Sequence, residues 1–248
     1  MPETTVENPF GLNALIQQGD LVQRSTLVIL LIMSLLTWFI MITKFFDQRR
    51  MRLQAEEAEK EFWSSNSLTD ALGKLKGAGN PFRALAETGK QAYEYHEVNK
   101  ARLSGAIGTS DWITESLQRT ADAVVSRMQA GLPVLASVGS TAPFIGLFGT
   151  VIGIYHALIA ISASGSASIE KVAGPVGEAL IMTAIGLFVA VPAVLGYNVL
   201  LRRNKTVQEA VSHFTHELHA YLISGVKMGL GMEKTPPTGV KPSPAAAR

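Results

Sequence analysis

Glu178 is the one acidic residue within a long apolar stretch of this 248-residue chain. A carboxyl group inside a membrane is costly unless it meets polar groups or takes part in function. Such a group can accept and release a proton, which is the chemistry of proton transfer across a membrane. Its place at the start of the stretch leaves a second interpretation open, a carboxylate at the interface just below the lipid head groups.

Thr150 and Thr183 lie in two apolar stretches on either side of a short loop. A helix rises about 1.5 Å per residue, so Thr150 lies about 16 Å and Thr183 about 12 Å inward from that loop. The two hydroxyl groups are therefore expected near one level, where they could line a polar pathway. Each could instead bond back to a carbonyl of its own helix, which threonine commonly does in membrane spans.

Small residues recur at steps of three and four in both stretches. The first stretch carries Gly139, Ala142, Gly146, Gly149 and Gly153. The second stretch carries Ala179, Thr183, Gly186, Ala190 and Ala193. Each set falls on one stripe of a helix, and small residues let another helix backbone come close in lipid. The partner could be the other stretch of the same chain or a second copy in a ring, and the two arrangements can coexist.

Three apolar stretches are long enough to cross a bilayer, which takes about 20 residues. They cover 24–43, 132–161 and 175–201, and the short loop 162–174 joins the last two. We number them spans one, two and three. The sequence therefore predicts an all-α membrane protein with three transmembrane helices.

Polar segments follow spans one and three. Residues 44–131 are predicted to form a large helical cytoplasmic region, with an amphipathic helix from Trp112 that runs straight into span two. Its apolar stripe comprises Leu117, Ala121, Val124, Met128, Leu132 and Leu135. A similar stripe continues span three through 202–232, at Val207, Val211, Phe214, Leu218 and Tyr221. Long helices are thus expected to carry spans two and three into the cytoplasm.

Positive charges are distributed unevenly about the spans. Of 22 Lys and Arg residues, 13 lie in 44–131 and seven follow span three, while the short loop holds only Lys171. The positive-inside rule places residues 1–23 and the loop outside and residues 44–131 and the C-terminus in the cytoplasm. Residues 1–23 lack the positive start of a signal peptide and are expected to remain in the mature protein. The Pro-rich tail 233–248 is expected to be disordered.

Composition excludes several classes of function. The formal net charge of +2 provides no basic field for nucleic acid. The absence of cysteine excludes disulfides, thiolate metal sites and cysteine nucleophiles. No phosphate loop, serine elbow or catalytic carboxylate pair is present, so neither an enzyme nor a cofactor is predicted. His213, His216 and His219 could bind a metal, but a solvated helix face is the favoured interpretation and no metal site is predicted.

Two motifs resemble those of the ExbB/TolQ/MotA family. Residues 146–151 (GLFGTV) follow Ala-Pro-Phe in span two, and residues 178–187 (EALIMTAIGL) precede Val-Pro-Ala and Tyr-Asn in span three. The resemblance covers residues 25–205 and is closest to the ExbB branch, with TolQ next. Residues 174–177 depart from the family's more common Pro-Gly-Ile-Ala, without adding an ionisable group.

The resemblance implies a homopentameric ring in the bacterial inner membrane, around the transmembrane helices of an ExbD dimer. It implies that proton-motive force drives TonB, which supports uptake of iron-siderophores and vitamin B12. The family's pore-lining threonines and glutamate fall on Thr150, Thr183 and Glu178. The expected partners are other copies of the chain, ExbD, TonB and membrane lipids. A TolQ-like role in the cell envelope and a structural membrane scaffold are the alternatives.

Overall fold

The computed structural model describes residues 21–65, 67–77, 79–99, 108–164 and 169–225, and every regular element in them is a helix. The elements are α1 (Leu21–Glu57) with a π-helical turn after it (Ala58–Phe62), α2 (Leu68–Lys74), α3 (Pro81–Val98), α4 (Thr109–Gln129), α5 (Leu132–Ser164) and α6 (Ile169–Ser224). The predicted all-α class is confirmed. Most of the predicted N-terminal segment, part of the loop 162–174 and the predicted disordered tail lie outside the described residues.

Three helical stretches are long and apolar enough to cross a membrane, as predicted: Leu21–Phe62, Thr109–Ala163 and Gly174–Ser224. Their large apolar side chains point outward as well as inward. Phe144 is 70% exposed and Phe188 is 74% exposed on the isolated chain. Helices that are apolar on all sides are typical of membrane spans.

The chain divides into two compact units. The first unit comprises residues up to Arg50 together with Val125–Gln208, and it packs α1 against α5 and α6. Its main core cluster consists of Leu30, Val138, Ala142, Val189, Ala190 and Ala193. A second cluster joins Leu132, Leu135 and Leu200. The main cluster contains residues of α1, α5 and α6, and the second cluster contains residues of α5 and α6. The membrane spans of one chain therefore form a packed bundle.

The helix that was predicted to run straight into span two is interrupted. Helix α4 ends at Gln129, α5 begins at Leu132, and Gly131 between them has φ 87°. This left-handed conformation suits glycine, which commonly ends helices. Span three is continuous with the helix that follows it, because α6 runs to Ser224 and stops where Gly225 has φ 67°. Residues 226–232 of the predicted helix lie outside the described residues.

The second unit comprises Met51–Val124 and the chain from Glu209 onward. The Asn80 side chain caps α3 by accepting hydrogen bonds from the backbone N–H groups of Phe82 and Arg83. An aromatic cluster forms the core, with Phe62 and Phe82 packed edge-on against Phe214. Trp63 packs on the same ring.

Both predicted apolar stripes are largely buried. Leu117, Val211 and Leu218 are each at most 1% exposed, and of the residues predicted for the two stripes only Val124 and Tyr221 are partly exposed. The amphipathic pattern therefore identified the inward faces of α4 and α6 correctly.

Glu217 makes the stability of the second unit dependent on pH. Burial raises the pKa of Glu217, the neighbouring His213 lowers it, and Glu59 raises it further. A carboxyl group with a raised folded-state pKa stabilises the fold at low pH and loses that contribution as pH rises through the folded value. We expect Glu217→Gln to unfold at higher denaturant than the wild type at neutral pH. The gap should close as pH falls toward about 4.3, the ordinary pKa of glutamate.

This prediction can be checked with tryptophan fluorescence during urea unfolding of the detergent-solubilised chain in a Trp38→Phe background, where Trp63 and Trp112 report on the second unit. Glu115→Gln is the matched control, because Glu115 is an exposed second-unit carboxylate paired with Arg119, where a surface ion pair contributes little. Equal stability of Glu217→Gln and wild type at neutral pH, or a gap that widens on acidification, would contradict the prediction.

Candidate functional site

The Thr150 and Thr183 hydroxyl groups meet between α5 and α6. The Thr150 hydroxyl lies 2.9 Å from the Ala179 carbonyl oxygen on α6 and 3.2 Å from the Gly146 carbonyl oxygen on α5. It is also hydrogen-bonded to the Thr183 hydroxyl. Thr150 therefore makes both the own-helix bond that the sequence left open and bonds to the neighbouring helix.

The direction of these bonds follows from the number of protons available. A hydroxyl group carries one hydrogen and two acceptor lone pairs. When Thr150 donates to a carbonyl oxygen, Thr183 must donate to Thr150. The Thr183 oxygen then keeps acceptor capacity, and Thr183 is partly exposed, whereas Thr150 is 6% exposed. The pair can thus accept a hydrogen bond at Thr183 and deliver one to the α6 backbone.

Glu178 immediately precedes Ala179 in the chain. The carbonyl oxygen of Ala179 accepts a hydrogen bond from the Thr150 hydroxyl. Glu178 is 9% exposed on the single chain. Among the described residues its carboxyl group makes no hydrogen bond or ion pair. The acid is therefore enclosed by its own chain without a partner among the described residues. It lies five residues before Thr183 on the same helix.

The two stripes of small residues face each other within one chain. A Cβ atom added at Gly146 would lie 2.7 Å from the Met182 carbonyl oxygen and 3.0 Å from the Gly186 Cα atom. A Cβ atom at Gly186 would lie 2.7 Å from the Ala142 carbonyl oxygen. The helix backbones are in direct contact here, so a larger residue would push the helices apart. Of the two arrangements that the sequence left open, the chain shows the intrachain one.

The remaining stripe residues continue this contact along the helices. Gly139 lies against Val194, Gly149 against Met182, and Gly153 against Ala179. Ala190 and Ala193 belong to the main core cluster. The close approach brings the Thr150 hydroxyl within hydrogen-bond distance of α6, so the stripes determine the geometry of the threonine pair.

Helix α1 supplies polar side chains that the sequence analysis did not select. Gln23 and Thr26 are buried on α1, at 6% and 3% exposure. A Cβ atom at Gly153 would meet the Gln23 amide nitrogen at 2.7 Å, and one at Gly149 would meet the Thr26 methyl at 3.2 Å. Their spacing of three residues, which puts both on one helix face, was the signal available in the sequence.

The three histidines do not form a metal site. His213 Nδ1 lies 3.5 Å from a Glu217 carboxylate oxygen, and His219 Nε2 lies 3.1 Å from the Ser110 hydroxyl. Within the part of the chain that the structure describes, no three His, Asp or Glu side chains are grouped so that they could hold a metal ion.

Comparison with known proteins agrees with the membrane fold. A family model described as the MotA/TolQ/ExbB proton channel family matches residues 83–213. Biopolymer transport protein ExbB of Neisseria meningitidis serogroup A is 39% identical over 215 residues, which is 86% of this chain and 98% of that protein. ExbB of Xanthomonas campestris (strain B100) is also 39% identical, over 82% of each chain. Tol-Pal system protein TolQ of Haemophilus influenzae is 32% identical, over 83% of this chain and 90% of that protein.

These relatives have consequences for location and class. Together with three helices able to span a membrane, the ExbB relatives indicate an inner-membrane protein. The family is one of proton channels and transport subunits and is not an enzyme class. The chain therefore belongs to the MotA/TolQ/ExbB proton channel family, as a protein of the ExbB type.

Proposed function

We propose that this chain is the ExbB-like subunit of an inner-membrane motor that is driven by proton-motive force. With an ExbD-like partner, it would energise TonB for uptake of iron-siderophores and vitamin B12 across the outer membrane. The observation that supports this most is the Thr150–Thr183 hydroxyl pair, which joins α5 to α6 beside Glu178. One charge that crosses 100 mV releases about 2.3 kcal/mol, so a few protons suffice for a mechanical step.

The proposed pathway assigns different tasks to the three side chains. Thr183 would face a central lumen, because it is partly exposed. Glu178, which is enclosed by its own chain and lacks a partner among the described residues, would border that lumen. Thr150 would hold the Thr183 hydroxyl in position from inside the helix pair. Hydroxyl groups relay hydrogen bonds without holding charge at neutral pH, so the main proton carrier would come from the transmembrane helix of the partner.

The proposed ring must be built on faces other than the small-residue stripes, since these are used within the chain. Large apolar side chains remain exposed on the spans, including Phe144, Leu180 and Phe188. Neighbouring copies, ExbD helices and lipid would cover them. The domain limits given above, with the N-terminus periplasmic and residues 44–131 and the C-terminus cytoplasmic, complete the proposal and rest on the distribution of positive charge.

A TolQ-like role is the second candidate, which the TolQ relatives at lower identity support less well. The two roles can be separated by rescue. The chain and its own ExbD-like partner should restore siderophore-dependent growth to a host that lacks ExbB, and leave a host that lacks TolQ sensitive to detergent. Rescue of detergent resistance alone would favour the TolQ-like role, and rescue of neither by a well-expressed chain would favour a scaffold.

The two threonines are expected to differ when each is replaced by valine. Thr183→Val leaves the Thr150 hydroxyl and its carbonyl acceptors in place, so the protein level should stay normal while uptake is lost. Thr150→Val removes the link to α6 and should also cost about 1 kcal/mol of stability. Thr37→Val is the control, since Thr37 is buried and, among the described residues, bonds to Met33 of its own helix alone. Siderophore growth and thermal stability in detergent measure both effects, and normal growth of Thr183→Val would contradict the assignment.

A further inference from the structure

A buried cluster of side-chain amides lies in the first unit, away from the threonine pair. The Gln48 side-chain nitrogen on α1 donates to the Asn204 side-chain oxygen at 2.6 Å and to the Leu200 carbonyl oxygen at 2.8 Å, both on α6. The Asn204 side-chain nitrogen donates to the Met128 carbonyl oxygen at 3.0 Å. Gln48 and Asn204 are 4% and 5% exposed. We call these two side chains, with the two carbonyl groups, the amide junction.

The amide junction caps the end of α4 from outside that helix. The last four carbonyl groups of a helix have no partner within it and need other donors. Asn204 supplies one for Met128, and the Lys44 ammonium supplies another for Arg127 at 3.0 Å. The positive charge of Lys44 also suits the negative end of the α4 dipole. The last turn of α4 is thus bonded to side chains of α1 and α6.

The chain changes direction directly after this held end. Gly131 adopts φ 87° between α4 and α5, and a Cβ atom there would meet the Ile40 side chain of α1 at 3.2 Å. From Gly131 to Thr150 the chain extends about 28 Å along the helix. A tilt of about 5° at Gly131 would therefore move Thr150 by about 2 Å, which is enough to break a hydrogen bond.

Apolar packing links this held end to the start of α5. Leu132 and Leu135, at the start of α5, pack with Leu200, whose carbonyl oxygen accepts the Gln48 hydrogen bond. Further along, α5 meets α6 backbone against backbone at Gly146 and Gly186. Directional polar bonds add to this packing at two levels, the amide junction near Gly131 and the threonine pair.

We propose that Gln48 and Asn204 are positioning residues that hold the end of α4 and so set the tilt of α5 about Gly131. Through this tilt they bring the Thr150 hydroxyl to Thr183 and Ala179. The inference rests on the proposed function for its transport consequence, while its geometric content concerns the α5–α6 contact alone.

Cysteine cross-linking can measure the contact directly. The chain contains no cysteine, so Gly153→Cys with Ala179→Cys introduces one pair, at positions where a Cβ atom on residue 153 lies 3.0 Å from that of Ala179. Disulfides need Cβ atoms about 3.8 Å apart, which a small relaxation provides. After mild oxidation, a maleimide-polymer mass shift counts the free thiols. Siderophore-dependent growth is measured in parallel for the same substitutions in the chain that lacks the two introduced cysteines.

Three substitutions separate positioning from packing. Asn204→Leu leaves the Gln48 nitrogen without its side-chain acceptor. The loss of one hydrogen bond changes an equilibrium by about threefold or more, so the extent of cross-linking should fall by about that factor. Gln48→Leu with Asn204→Leu removes both amides, so that neither is left without the other, and should raise the protein level above that of Asn204→Leu. If the amides position α5, cross-linking and growth stay low in this double variant. Thr37→Val, a buried hydroxyl bonded only within α1, is the control and should change neither readout.

The outcomes are distinct. The proposal would be overturned if the Gln48→Leu, Asn204→Leu double variant recovered protein level, cross-linking and growth together. Normal cross-linking in Asn204→Leu would also overturn it. If the double variant does not accumulate, Gln48→Leu alone decides, because it removes the bond between α1 and α6 and leaves the Asn204 bond to Met128 in place: reduced cross-linking supports the proposal and unchanged cross-linking overturns it. Failure of the wild type to support siderophore growth, with these cross-linking differences intact, would reject the proposed function and leave the positioning role supported.

Discussion

Replacing Glu178 with alanine is expected to abolish siderophore-dependent growth while the protein level in the membrane stays at that of the wild type. Glu178 contributes no hydrogen bond or ion pair to the fold among the described residues. A carboxylate enclosed by apolar surroundings without a partner costs free energy, so its removal should not destabilise the chain. The effect on transport is expected to be large because no other acid lies within the three spans.

Two further variants sharpen this result. Glu178→Gln keeps the shape and the hydrogen-bonding capacity but cannot exchange a proton as a carboxyl group does, so it should fail like Glu178→Ala. Glu115→Ala removes an exposed carboxylate of the second unit and should grow normally. Growth, protein level and co-purification with the ExbD-like partner are measured for each. Normal growth of Glu178→Gln would show that the group acts as a polar contact, and normal growth of both Glu178 variants would make it an interfacial carboxylate.

Gly146→Ala is expected to destabilise the first unit by about 1–3 kcal/mol, the usual cost of excess volume at a tight contact. The added Cβ atom would lie 2.7 Å from the Met182 carbonyl oxygen, which is backbone and cannot rotate away. The helices must separate, and Thr150 should then lose its bond to Ala179. Gly146→Val, with two more methyl groups, should be worse and should prevent accumulation.

Gly177→Ala is the matched control, because a Cβ atom at Gly177 on α6 meets nothing within 4 Å. The midpoint temperature for loss of soluble protein in mild detergent compares the two variants with the wild type. Gly186→Ala should resemble Gly146→Ala, and the double variant should cost less than the sum because both residues open the same contact. Equal midpoints for Gly146→Ala and Gly177→Ala would show that the chain relaxes freely at the stripe.

The stripes show how far the sequence alone could predict this site. Spacing at three and four residues placed Gly146 and Gly186 each on one helix face, because the helical period is a local property of the chain. The same period cannot say what lies opposite that face. Only the folded chain shows that the two stripes pack on each other, which leaves other surfaces of the spans for neighbouring copies.

The break at Gly131 is a comparable case. The apolar pattern of α4 continues into α5, so periodicity predicted one uninterrupted helix. The helix ends at Gln129 because side chains distant in sequence, Lys44 and Asn204, satisfy its last carbonyl groups, and because Gly131 can adopt a positive φ. Contacts of this kind join residues about 80 positions apart and produce no periodic pattern in the sequence.

By itself the sequence determined three spans, their small-residue faces, and the common level of Thr150 and Thr183, since hydropathy and helical rise depend only on neighbours along the chain. The tertiary structure decided that Thr150 lies inside the helix pair while Thr183 remains partly exposed, and that Gln48 meets Asn204. These features depend on which helices become neighbours and how closely their backbones approach, and packing between distant segments decides both.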